Sequence, residues 1–306
     1  MDSHPAAVPR YVVIQRNPNS GSGWRRSLIY DLVRELKILG FAPRLFRGRE
    51  RFDAWLAIPE NRAQVVCLVA AGGDGTVGDL LNRHPGMPLA LLPVGTENLL
   101  ARGLGIPASG QGVARLIAGG CVRRLDLCRL GERRFTLMAS AGFDAEVIRR
   151  VHARRSGHIS YLSYFQPIAA ALRSYTHPPL SIWFDDDPVP ETARLVVVVN
   201  FPMYALRLPV APDALPDDGW LEVRLFRQGS AFQMLRYFCN LALGRLDRLP
   251  DVATRRARVL RIESTGVVPV QVDGDPAGVV PAVVEILPGA LDVFVPVPEH
   301  PSKSRA

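Results

Sequence analysis

Lysine is almost missing from this chain. Of 37 basic side chains only Lys37 and Lys303 are lysines, which leaves 35 arginines. No GxxxxGK[ST] segment exists, and no lysine stands where a Walker P-loop or a protein-kinase strand would need one for phosphate. Cysteine is scarce too: Cys67, Cys121, Cys128 and Cys239 form no CxxC pair, which argues against a disulfide framework and fits reduced thiols in a cytoplasmic protein. Long apolar runs are lacking. The longest purely aliphatic one, Leu195 to Val199, is far too short to cross a bilayer, and Met1 to Arg10 holds no signal-like apolar segment. The six histidines show no metal-ligand spacing.

What is present is basic charge and glycine. A formal charge of +8 and a sequence pI of about 9.8 favour anionic partners. Nucleic acid is not expected among them, because no motif interleaves aromatic with basic residues. Two turns are rich in glycine: Gly72-Gly73-Asp74-Gly75-Thr76, followed by Val77 and Gly78, and Pro93-Val94-Gly95-Thr96-Glu97-Asn98. Each follows a short apolar run (65–71 and 88–92) that reads as a buried strand, and each opens a stretch with helical spacing. A strand, a glycine turn and a helix N-terminus together point backbone N–H groups at an anion, with glycine admitting close approach and positive φ. For GGDGT alone, an ordinary tight turn with Asp74 as helix cap remains open. Asp217-Asp218-Gly219 and Asp273-Gly274 likewise read as plain turns or as turns that carry a site.

The chain reads as two domains. Residues 1–10 are expected to be a disordered leader. Residues 11–120 alternate strands (11–16, 41–46, 65–71, 88–92) with helices (24–39, 52–58, 111–118), the pattern of an α/β domain with a parallel sheet. Residues 121–295 begin with a hairpin (122–130 and 134–139) and two helices (144–153 and 159–175). They continue mainly as strand (180–184, 193–200, 221–226, 258–262, 268–272, 283–287) around one helix at 230–243, which suggests a β-sandwich. Residues 296–306 form a tail expected to be disordered. Arg149, Arg150, Arg154 and Arg155, with His152 and His158, make a basic cluster, read either as a solvated helix face or as a patch for anionic headgroups. The neighbouring Tyr161, Tyr164, Phe165, Ile168 and Leu172 read as a helix core face or as an acyl-pocket lining.

Asn17-Pro18-Asn19-Ser20-Gly21, GGDGTVGDLLN (72–82), LPVGTENLLARGLGIP (92–107), SAGFDAEV (140–147), DALPDDGWLEV (213–223) and VDGD (272–275) occur in this order along nearly the whole chain. Together they resemble the diacylglycerol kinase catalytic family, the bacterial soluble lipid kinases related to sphingosine and ceramide kinases. The resemblance implies an NAD-kinase- or phosphofructokinase-like α/β domain followed by a β-sandwich, with ATP and Mg²⁺ as cofactors. It implies transfer of the γ-phosphate to a diacylglycerol-like hydroxyl at a membrane surface, by a cytoplasmic enzyme that allows a homodimer. A sphingosine- or ceramide-type acceptor, an NAD kinase, and a catalytically weak nucleotide- or membrane-binding member are the rival readings.

By that resemblance Asn17, Pro18, Asn19, Ser20 and Gly21 line the phosphates, and Gly72 through Gly78 wrap the triphosphate. Thr96 and Asn98, beside Gly95, bound the adenosine side. The carbonyls of Leu215 and Trp220 with the Asp218 carboxylate hold a metal, hard oxygen ligands suited to Mg²⁺ or Ca²⁺. Asp275 accepts the hydroxyl proton while Asp74 orients the hydroxyl, or the two exchange roles, and Glu146 meets the lipid head. Relatives usually carry Glu at position 275, Asp at position 99 and Thr near position 47; this chain has Asp275, Leu99 and Arg47-Gly48.

Overall fold

The computed structural model describes residues 10–16, 25–154, 162–203, 208 and 210–297. It divides into two compact units, 1–124 with 291–306 and 125–290. The boundary expected after residue 120 therefore falls after Arg124, and the end of the chain returns to the first unit. The expected leader (1–10) and tail (296–306) lie outside the described residues except for Arg10, Pro296 and Val297.

The first unit contains β1 (Tyr11–Arg16), α1 (Arg25–Ile38), β2 (Ala42–Phe46), α2 (Arg49–Leu56), α3 (Pro59–Ala63), β3 (Val65–Gly72), α4 (Asp74–Arg83), β4 (Leu89–Pro93), α5 (Leu99–Gly103) and α6 (Gly110–Gly119). Its strands are parallel in the order β2-β1-β3-β4. Val12, Val13 and Ile14 of β1 and Leu68, Val69 and Ala70 of β3 are buried on both faces, as central strands covered by helices must be. Ile29, Leu32 and Leu36 recur as a buried stripe on α1, and α1 packs on α6, where Gly110 meets the α1 backbone at Leu28 and Leu32. Each such fully buried leucine contributes about 1.5–3 kcal/mol of transfer free energy. β2 is half exposed and forms the edge.

The second unit contains β5 (Val122–Leu130), which starts in the first unit, then β6 (Arg133–Phe135), β7 (Met138–Ala141), α7 (Phe143–Ala153), α8 (Leu162–Ser174), β8 (Leu180–Phe184), β9 (Glu191–Ala193), β10 (Leu195–Val199), β11 (Leu221–Phe226), α9 (Ala231–Ala242), β12 (Val252–Ala257), β13 (Val259–Glu263), β14 (Pro269–Val272), β15 (Asp275–Val279) and β16 (Ala282–Phe294). One antiparallel sheet runs β12-β11-β10-β7-β14-β15. Facing it are β9-β8-β13 with the first half of β16, and the β5–β6 pair. Leu221, Val223 and Leu225 alternate inward from one sheet and meet Ile182, Leu260, Ile262 and Val284 of the other in one core. α7 lies against β7, β14 and β15, which is why β7 is buried throughout rather than on alternate residues.

Two local expectations are corrected. The strand read at 134–139 is two strands: β6 pairs with β5, whereas β7 belongs to the other sheet. The chain changes sheet at Thr136 and Leu137, whose N–H groups, with that of Met138, donate to the Asp273 carboxylate. The strand read at 283–287 extends to Phe294, through Pro288-Gly289, because the Asp126 carboxylate takes the Gly289 N–H at 2.7 Å. Its last residues join the first unit, where Val293 pairs with Leu89.

Candidate active site

In the first unit the ends of β3 and β4 bring the two glycine turns together, backbone to backbone. A Cβ built on Gly95 would lie 2.4 Å from the Gly73 Cα and 2.7 Å from Asn98 Oδ1; one on Gly72 would lie 2.0 Å from Thr76 Oγ1. Gly73 and Gly95 thus serve the packing of turn on turn and Gly72 the close approach of Thr76, and none of the three has a positive φ, contrary to the conformational reason expected for them. Gly75 and Gly78 differ. Among the described residues no atom lies within 4 Å of a Cβ added at either, so none of them covers this part of the α4 N-terminus.

Asp74 does not cap its own helix. Gly73 holds the cap position and Asp74 is the first residue of α4. Its carboxylate accepts the N–H of Leu99 at 3.0 Å and of Leu100 at 3.2 Å, so it caps α5 from across the turn. Burial pushes its pKa above the ordinary carboxylate value, against the pull of these N–H donors and of Arg102. Asn98, the cap residue of α5, is buried and left-handed at φ 51. Its side chain accepts the Gly95 N–H at 2.9 Å and donates to the Gly95 carbonyl at 3.0 Å. Asn98 therefore clasps its own turn. Thr96, between them, is exposed.

Glu97 was not singled out by the sequence reading. Both of its carboxylate oxygens are buried, and neither has a hydrogen-bond partner among the described residues. Such a group calls for a hydroxyl donor or a cation. A second feature without a sequence signal is the polar bracket beneath α4. Gln15 donates to Asp79 at 2.6 Å, Arg83 pairs with Asp79 at 2.9 Å and with Asp53, and His84 meets Asp53 at 2.7 Å. Arg49 closes on Asp79 at 3.1 Å. Asp79 is held below the usual carboxylate range because Arg83, Gln15 and Arg49 together outweigh the effect of its burial. The bracket fixes α4 to β1 and α2. Residues 17–21, expected on the phosphates, lie outside the described residues.

In the second unit VDGD forms a two-residue hairpin, with Val272 opposite Asp275 and positive φ at Asp273 (47°) and Gly274 (82°). Gln271 accepts the Gly274 N–H at 2.9 Å and donates to Ser140 and Asp144 of the SAGFDAEV segment, which steadies the tip. Asp275 is partly exposed. It pairs with Arg133 at 3.0 Å and lies 3.4 Å from His152 Nε2. The first acid of the motif, Asp273, is the structural one: its carboxylate accepts the N–H groups of Thr136, Leu137 and Met138.

The expected metal loop is anchored by a residue missed in the sequence, Asp126, whose carboxylate takes the Gly219 N–H at 2.7 Å. Asp218 accepts the Trp220 N–H at 3.0 Å through one oxygen and pairs with Arg256 through the other. Asp218, one of the loop's two carboxylates with Asp217, is thus already paired with a guanidinium and is not a free ligand for a divalent cation. Among the described residues no group of three or more His, Cys, Asp or Glu could hold a metal. Glu146 is equally committed. Arg149 forks onto it with two bonds of 2.8 Å and Arg150 adds one of 2.6 Å, which together lower its pKa against the effect of burial. The basic cluster is thus partly self-neutralised, and a lipid head would have to displace two arginines to reach Glu146. Arg155, His158 and Tyr161 lie outside the described residues.

Comparison with known proteins agrees with these motifs. The diacylglycerol kinase catalytic domain model matches residues 10–130, and the YegS C-terminal NAD kinase beta sandwich-like domain model matches 138–295. A diacylglycerol kinase of Mycobacterium tuberculosis (strain ATCC 25618 / H37Rv) is 28% identical over 92% of this chain and 93% of its own length. One of Staphylococcus saprophyticus is 24% identical over 92% and 93%. A crystal structure of a diacylglycerol kinase from Bacillus anthracis str. Sterne superposes with a TM-score of 0.71 at 24% identity, covering 94% of this chain and 97% of that one. The chain belongs to the diacylglycerol kinase catalytic-domain family, in the branch that carries a YegS-type, NAD-kinase-like β-sandwich.

Proposed function

We propose that this protein is an ATP-dependent lipid kinase that moves the γ-phosphoryl group of ATP onto the hydroxyl of a diacylglycerol-like lipid. The observation that carries the proposal is the pair of interlocked glycine turns, fixed by Asp74, with Gly75 and Gly78 of α4 uncovered by any described residue. The Gly75 N–H, in the first turn at the positive end of a ten-residue helix, is the donor for a phosphate oxygen, a task that needs no lysine. The orphaned Glu97 carboxylate suits a ribose hydroxyl or a cation accompanying the nucleotide. A divalent cation bound with the triphosphate supplies charge neutralisation. No step is assigned to the 215–220 loop.

Asp275 is the proton acceptor in this reading. As the lipid oxygen forms its bond to phosphorus and the bond to the ADP oxygen breaks, the hydroxyl proton passes to the Asp275 carboxylate, later to be released to water. Arg133 and His152 hold that carboxylate in place. Asp74 is a positioning residue, since its oxygens are occupied by the α5 backbone. A lipid acceptor implies peripheral contact with a membrane. The test is transfer of label from [γ-³²P]ATP over a panel of diacylglycerol, monoacylglycerol, sphingosine, ceramide, undecaprenol and NAD. Label on diacylglycerol is expected, and label on NAD alone would overturn the lipid assignment.

A further inference from the structure

α9 is apolar on two sides. Met234, Tyr237 and Leu241 face inward, and its polar side chains Gln233, Arg236 and Asn240 follow one flank. The remaining face carries Phe232, Leu235, Phe238, Cys239 and Ala242, a stripe at helical spacing that continues to Leu243, all of it exposed. Phe232 is 71% exposed and Leu243 65%. A helix at the surface of a soluble domain ordinarily turns charge outward at such positions. α8 packs against α9 and adds Phe165, 80% exposed, and Ile168. Neither Leu162–Ser174 nor Ala231–Ala242 contains an aspartate or a glutamate. Exposed arginines follow at the end of each helix, Arg173 in α8 and Arg245 and Arg248 after α9, and none of the three is in an ion pair among the described residues.

The geometry points to the α8–α9 face as the surface by which the protein inserts into an anionic lipid bilayer, the α9 stripe entering the headgroup–acyl boundary and Arg173, Arg245 and Arg248 meeting lipid phosphates. Two adjoining helices with outward aromatic and aliphatic side chains, no acid, and unpaired arginines at their ends match the charge and polarity of that boundary. A protein partner would be expected to meet some acid-bearing or hydrogen-bonding groups on such a face. The choice of lipid over protein rests on the lipid-acceptor reading. The site is distinct from the basic cluster of α7, whose Arg149 and Arg150 are spent on Glu146.

The test is co-sedimentation of the full chain, without nucleotide, with vesicles of phosphatidylglycerol and phosphatidylcholine. The double variant Phe232→Ser/Leu235→Ser is expected to bind about tenfold or more weakly, because two apolar side chains no longer leave water. Arg245→Glu/Arg248→Glu is expected to weaken binding only when phosphatidylglycerol is present, with the difference shrinking as salt rises. Phosphorylation of a short-chain, monomeric diacylglycerol is expected to be unchanged in both. A fluorophore on exposed Cys239, in a Cys121→Ser background, is expected to shift to the blue on vesicle addition. Unchanged vesicle binding by Phe232→Ser/Leu235→Ser with no shift at Cys239 overturns the proposal. So does light scattering that shows a dimer broken by the same substitutions, since a second copy would then be the occupant. Because binding is read without ATP, failure of the kinase assignment leaves this result separate.

Discussion

The Asp74 carboxylate and the Leu99 N–H, 3.0 Å apart, tie the first glycine turn to the second across 25 residues of chain. An acid in this position would have to serve both as the cap of α5 and as a proton acceptor if it were the base. Replacing it separates the roles. Asp74→Ala should lower stability by about 0.5–2 kcal/mol, the usual worth of a lost helix cap, and should lower transfer because Gly95 and Asn98 lose their seat. The check is a urea midpoint beside kcat. Loss of transfer with an unchanged midpoint would return Asp74 to the chemistry.

Gly95 and Gly75 are both turn glycines, yet opposite outcomes are expected of them. Gly95→Ala drives a methyl into the Gly73 backbone, where neither side can yield, and should cost about 1–3 kcal/mol as an overpacked contact does. Gly75→Ala meets no atom of the described residues within 4 Å and stands inside α4, so stability should hold or rise slightly. Its effect should appear in KM for ATP. Thermal melts and nucleotide titrations on the two variants check both statements, and a Gly75→Ala variant with unaltered KM would remove the α4 N-terminus from the phosphate site.

Much of this was legible in the chain. The α/β order, the sandwich and the hairpin at Asp273-Gly274 follow from apolar period and turn chemistry. Backbone pairing by carboxylates could not be read. Asp126, Asp273 and Asp74 each bind N–H groups brought near by folding, from residues 25 to 163 positions away. Such acids look like catalytic candidates in a sequence, and only the register of the strands tells which are spent. Asp275, two residues from Asp273 and so similar in context, keeps its carboxylate for a guanidinium and partial solvent. The return of β16 to the first unit was hidden as well, because Pro288-Gly289 reads as a stop whereas Asp126 holds it within a strand.

Asp218 gives a prediction for metal removal. Chelation by EDTA should abolish transfer, since the triphosphate needs a divalent counter-charge. Asp218→Ala should leave the Mg²⁺ concentration for half-maximal rate unchanged, because Arg256 already occupies that carboxylate. A rise of about tenfold or more in that concentration, the loss expected on removing a true ligand, would reinstate the loop as a cation site.

His177 makes stability depend on pH. Its ring stacks on Phe143 at 5.7 Å and meets Tyr175 at 5.0 Å, and neither ring nitrogen has a hydrogen-bond partner among the described residues. Burial, aided by Arg194, holds its pKa below the ordinary 6.5. The unfolded chain therefore takes up a proton more readily than the folded one. The stabilising share is complete above about pH 6.5 and is lost as pH falls through the folded value. His84 is depressed as well, chiefly by burial, and adds with the same sign. His177→Asn, a residue that tolerates the φ of 50° found here, should flatten the fall in melting temperature between pH 7 and 5 without removing it. An unchanged slope would show that the ring titrates as freely folded as unfolded.

The most direct measurement is single-turnover transfer from [γ-³²P]ATP to diacylglycerol by the Asp275→Asn protein, with ATP binding followed in the same samples. The account predicts ATP affinity close to that of the parent and a transfer rate lower by about 10²–10⁴-fold, the contribution of a positioned proton acceptor. Transfer at near-parental rate, or loss of ATP binding in step with it, would contradict the account.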